Sequence, residues 1–150
     1  MTAQAIAAFL HLISAVTAFA CLAAELVLYR EALPVPLARR LRRIDAGYGI
    51  ALGAVVVTGS LRFLFFGAGA HAYLLNAVFW VKMIALLFVI MLSLRMTSHF
   101  MRSAVATDGV AAKGPLSYRR ARTTLWAEAG LLAIAMLSAA LMARGVGLQV

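Results

Sequence analysis

The stretch NAVFWVKMIALLFVIMLSL, residues 76–94, decides the fold. Between Asn76 and Arg95 the single charged side chain is Lys82, and no proline or glycine interrupts the run. A helix rises about 1.5 Å per residue and a bilayer's hydrocarbon core is about 30 Å thick, so a run of this kind crosses a membrane once. Working outward, residues 3–29, 45–66 and 120–143 have the same character, and the central run extends over 75–98. The chain has 150 residues and is 65% hydrophobic, against about 45–50% in soluble domains. So small a soluble protein could not bury that much apolar surface, and lipid must serve as solvent. The expected fold is an all-α antiparallel four-helix transmembrane bundle, one integral membrane domain over residues 1–150.

Charge placement gives the topology. The net charge is +9, but the cations fall in two clusters between apolar runs, which fits anionic headgroups and topology and argues against nucleic acid as a partner. Residues 30–43 hold five arginines, residues 95–122 hold six Lys and Arg, and residues 67–81 hold none. By the positive-inside rule both basic loops are cytoplasmic and both termini face outward, in a multi-pass protein of the cytoplasmic membrane. Pro34 and Pro36 are expected to stop the first helix, and ATDGVAAKGPLS, residues 106–117, reads as a loop. The N-terminal run lacks a basic start and is too long for a signal h-region, so it reads as the first span. The lone Cys21 excludes an intrachain disulfide. Gly49 and Gly53 form a GxxxG, and Ala15 with Ala18 a flat strip, both suited to close helix packing within the chain. Self-association or membership of a larger membrane complex stays open.

Depth then selects the polar residues. His11 falls about 12 Å and Lys82 about 10 Å below the outer ends of their spans, and Arg62 shares that level. Three basic side chains from three helices thus converge, although Lys82 and Arg62 could instead snorkel to headgroups. A lysine at the centre of a span costs about 2.5–3.5 kcal/mol on insertion scales. His11 shares a face with Ala15, Ala18 and Glu25, which leaves room for a flat macrocycle or for another helix. Glu25 and Asp45 read as ion-pair partners of the Arg39–Arg43 cluster. Glu128, about 13–15 Å from the inner end of its span, should face the interior, be protonated or pair with a cation, and is a proton-relay candidate. His71 and His99 fall in loop or boundary positions and receive no role. No Walker A, GxSxG, HExxH or cysteine metal spacing is present, so any catalysis would need a bound cofactor.

LHLISAV around His11, RRIDAGYG, TGSLRFLFFGAGAHAYLLN, FWVKM and the closing ALMARGVG resemble a family of small bacterial four-helix membrane proteins of unknown function. More distantly the plan resembles the HemJ-type membrane protoporphyrinogen oxidases and the CopD membrane domain. That resemblance implies haem b, with His11 as axial ligand and therefore as metal ligand. It also implies that Trp80 and Lys82, in a WxK context, lie at the cofactor, with Lys82 contacting a porphyrin carboxylate or assisting proton transfer. Arg62 joins Lys82 as a carboxylate anchor, and Lys82 and Glu128 are the candidate catalytic residues. The sequence departs from the oxidase pattern late in span three, where VIMLSLR has no histidine, so a second axial ligand is not evident. Met83 and Met91 read as ordinary lipid-facing or core residues. The functional expectation is a haem- or porphyrin-associated membrane redox protein. The alternatives are a non-enzymatic membrane subunit or assembly factor, and a small transporter or proton or ion pathway using Glu128.

Overall fold

A computed structural model of the chain describes residues 2–65, 74–107, 110–111 and 116–146. These form four long helices: α1 Thr2–Leu28, α2 Val35–Phe65, α3 Ala77–Ser103 and α4 Tyr118–Ala143. Each has 26 to 31 residues and is long and apolar enough to cross a membrane. At 1.5 Å per residue they span about 40 Å or more, the hydrocarbon core plus part of the interface.

The helix ends follow from local chemistry. Pro34 and Pro36 do not terminate α1, which ends at Leu28 before them; they open α2. The Pro34 carbonyl accepts the Ala38 amide at 2.9 Å, and Pro36 stands in the first turn, where a missing N–H costs nothing. Helix α2 therefore begins ten residues before the apolar run, and its first turns carry the exposed Arg39, Arg40, Arg42 and Arg43. Asn76 caps α3, its side-chain oxygen accepting the Val78 amide at 2.8 Å, which satisfies one of the orphan donors of a helix start. Helix α3 runs on to Ser103, beyond the apolar window. Within the connection to α4, Ala106–Thr107 (β1) and Val110–Ala111 (β2) pair antiparallel, a two-residue ladder inside a segment expected to be loop.

Helix α1 packs chiefly on α2, and α3 on α4; α2–α3 and α1–α4 contacts close the ring. The α1 seam is His11, Ala15, Ala18, Leu22 and Glu25, a helical face at offsets of three and four. Its small residues let α1 lie close against its neighbours. Gly49 and Gly53 do not serve that end. Nothing lies within 4 Å of a Cβ built on either, and both are exposed on the outer side of α2. Outward faces carry Phe9, Leu12, Val27, Ile50, Leu87 and Leu137, all more than half exposed. Apolar exposure on every side is what a lipid-facing bundle shows and a soluble one does not.

Polar residues form two layers, interior except for the exposed Arg62 at the rim of the first. His11, Thr58, Arg62 and Lys82 lie toward the end that carries both chain termini. Glu25, Asp45, Tyr48, Thr97 and Glu128 lie toward the end that carries the arginine-rich connections. Along α1, α2 and α3 the layers are separated by about 15–26 Å. Between them Ala18, Leu22, Leu52, Val89 and Leu132 close the core.

Candidate functional site: a cationic cavity around His11

The layer at the terminal end surrounds two adjoining cavities of about 140 and 300 Å3. His11, Arg62, Lys82, Ala139 and Ala143 line both. Each helix contributes: α1 gives the imidazole, α2 the guanidinium, α3 the ammonium, and α4 small side chains that leave the space open. The smaller cavity is completed by Gly59, Asn76, Met142 and the Phe63–Phe79 pair, whose rings stack at 5.6 Å. Asn76 is fully buried and its side-chain amide donates to the Val146 carbonyl at 3.2 Å, tying the start of α3 to the end of α4.

The hydrogen bonds of His11 assign its two nitrogens. Thr58 has one hydroxyl proton and donates it to the Ala54 carbonyl at 2.6 Å. Its oxygen, 2.9 Å from His11 Nδ1, is therefore an acceptor there, and Nδ1 carries the hydrogen. In the neutral ring Nε2 then holds a free lone pair, and Nε2 makes no hydrogen bond among the described residues. A Cβ placed on Gly59 would sit 3.2 Å from His11 Cε1, so glycine is what lets α2 approach the ring this closely. An imidazole with one nitrogen fixed by its surroundings and the other free is the arrangement of a metal-binding histidine.

The structure brings His11, Arg62 and Lys82 together as their depths suggested. It leaves two expected participants elsewhere. Trp80 is half-exposed, and its indole N–H donates to the Leu74 carbonyl at 2.9 Å, so it does not line either cavity. Glu128 lies eleven residues before Ala139 on α4, about 16 Å lower along the helix, in the acidic layer. The Arg39–Arg43 ion pairs expected for Glu25 and Asp45 are not formed. Asp45 accepts from the Thr97 hydroxyl at 3.1 Å, and the charged groups acting on Glu25 are Asp45 and Glu128. Met83 and Met91 face outward. His71 lies outside the described residues.

Thr58, Gly59 and Asn76 were not singled out from sequence. Thr58 precedes Arg62 by four residues, one helical turn on the same face, and that spacing was the available signal. His99 is buried at the basic end, where its Nε2 lies 2.9 Å from the Tyr29 hydroxyl and its Nδ1 accepts the Leu116 amide at 3.4 Å. Tyr29 stacks on Tyr118 at 5.6 Å, and burial beside Tyr118 pushes its hydroxyl up to about 12. It stays protonated, and the set ties α1, α3 and the connection to α4 together. This histidine serves packing, remote from His11.

Four apolar helices with a polar interior define an integral membrane protein. Residues 3–147 match the family described as "Predicted membrane protein (DUF2214)", and the chain belongs to that family. Neither the curated proteins nor the solved structures offer a match. The likeness to HemJ-type oxidases and to the CopD domain rests on residue contexts alone.

Among the described residues no three His, Cys, Asp or Glu side chains are grouped to hold a metal ion. A metal at His11 would have to bring most of its own ligands, as the iron of haem does. The donor set fits that group: one free imidazole nitrogen for the iron and two cations for its carboxylates.

Proposed function

We propose that this protein is a haem- or porphyrin-associated membrane redox protein. In this reading His11 Nε2 would hold the iron, and Arg62 and Lys82 would hold the carboxylates. The observation that carries it is the Thr58 hydrogen bond, which leaves the free His11 nitrogen in a cavity that two cations also line. Haem, when bound, supplies reversible one-electron chemistry that no side chain of the cavity offers. The chain's own residues do the rest. Thr58 orients the imidazole, Gly59 makes room for it, and the Phe63–Phe79 pair shields the cavity wall. Arg62 and Lys82 neutralise carboxylates that could not otherwise enter an apolar bundle. A protoporphyrinogen-oxidase-like activity is the finer form of the same reading, with Lys82 beside the porphyrin as the group that exchanges a proton. By the positive-inside rule the cavity opens toward the outer, periplasmic side of a bacterial cytoplasmic membrane.

The test is a haemin titration of the detergent-purified protein beside His11→Ala. A saturable absorbance change in the wild type, lost or strongly weakened in the variant, supports the proposal. A wild type that leaves the haemin spectrum unchanged refutes it, and gives precedence to a non-enzymatic subunit or an ion pathway.

A further inference from the structure

Three of the chain's five acidic residues, Glu25, Asp45 and Glu128, come together inside the bundle from α1, α2 and α4, each no more than 3% exposed. Among the described residues, Glu25 interacts electrostatically with Asp45 and Glu128, and Glu128 with Asp45 as well. Asp45 accepts from Thr97 of α3, and the half-buried Cys21 lies beside Glu25. Glu25 Oε1 and Glu128 Oε1 have no hydrogen-bond partner among the described residues. A separate observation points to something held there. Tyr48 is 1% exposed, and its hydroxyl points to the Glu128 carboxyl but, among the described residues, closes no hydrogen bond of good geometry.

Three ionised carboxylates without a cation cannot persist in this interior, because each unpaired buried charge costs several kcal/mol. Something positive must be shared among them. The described carboxyls are not grouped as metal ligands. A proton meets that need without a coordination shell: it neutralises a carboxyl and turns one of its oxygens from acceptor to donor. Access is short. Asp45 is two residues from Arg43 and Glu128 six from Arg122, both exposed, which sets the cluster about 3–9 Å along the helices from the arginine belt. In the other direction the apolar layer of Leu22, Leu52, Val89 and Leu132 closes it off.

We propose that Glu25, Asp45, Glu128 and Tyr48 form a buried proton-binding site that exchanges protons with the aqueous phase at the arginine-rich end of the bundle. The site is distinct from the His11 cavity, and its protons are shared, so it titrates as a unit rather than residue by residue.

Dicyclohexylcarbodiimide tests this in native membranes, because it attaches to protonated carboxyls in apolar surroundings. Peptide mass spectrometry should find the label on Glu25 or Glu128 and not on the exposed Glu31. Above the apparent pKa the labelling should fall about tenfold per pH unit, and sodium should not protect. Tyr48→Phe should move the midpoint of that pH profile, which a merely structural tyrosine would not do. Glu25→Gln and Glu128→Gln are each to be labelled, so that one variant failing to insert leaves the other. Absence of label in the native protein, with label after denaturation, overturns the proposal. Protection by sodium also overturns it, in favour of a metal cation. None of these readouts requires haem.

Discussion

Replacing Thr58 by valine keeps the side-chain shape, leaves the Val55 carbonyl as the neighbouring acceptor, and removes the hydroxyl oxygen that accepts from His11 Nδ1–H. That bond is 2.9 Å long, near the most common length for N–H···O. The loss on the Thr58 side is small, since its hydroxyl bonds only carbonyls of its own helix, Ala54 at 2.6 Å and Val55 at 3.3 Å. The loss on the His11 side is the better acceptor of a buried donor, up to about 1–3 kcal/mol if the Val55 carbonyl does not replace it. At about 1.4 kcal/mol per factor of ten, haem affinity should weaken about 5- to 150-fold, in line with the ten- to hundredfold typical of groups that orient a metal ligand. The assay is a haemin titration of Thr58→Val and Thr58→Ser, each with a thermal melt to separate unfolding from lost orientation. Thr58→Ser keeps the hydroxyl and should stay within a few-fold of wild type. A Thr58→Val protein that melts normally and binds haemin as tightly as wild type would refute the assignment of the two nitrogens.

The other expectations concern neighbouring groups. Arg62→Met and Lys82→Met should each weaken iron protoporphyrin by about tenfold or more, from the 1.5–3 kcal/mol of a charge-assisted hydrogen bond. Iron octaethylporphyrin, which has no carboxylates, should bind both variants like wild type. Gly59→Ala puts a methyl 3.2 Å from His11 Cε1, so the ring must shift by a few tenths of an ångström, read as a displaced Soret band or a weaker titration. Tyr29→Phe removes a hydrogen bond to His99 but not the stacking on Tyr118, and should cost about 1 kcal/mol in a detergent melt. Gly49→Leu and Gly53→Leu, on the outward face of α2, should not destabilise the isolated chain and should gain about 0.5–1 kcal/mol each from helix propensity.

The spans were legible because 3.6-residue periodicity and bilayer thickness constrain a run such as 76–94 tightly. The convergence of His11, Arg62 and Lys82 was legible for the same reason: depth follows from counting residues along a helix. Azimuth was not. The WxK context puts Trp80 and Lys82 two residues apart, on different sides of α3, so one enters the cavity and the other faces out. The same geometry separates Asp45 from Arg43 on α2, and the expected ion pairing gave way to an acidic cluster. The GxxxG of Gly49 and Gly53 marks a flat face without saying which way it looks. Thr58 stayed unnoticed because a helical threonine bonds its own backbone by default, and only the tertiary contact shows that its oxygen has a second use.

The reduced-minus-oxidised visible spectrum of the protein purified from its own membranes tests the central claim most directly. The account predicts haem bands in the wild type and their loss in His11→Ala. A colourless wild type that takes up no haemin would contradict it.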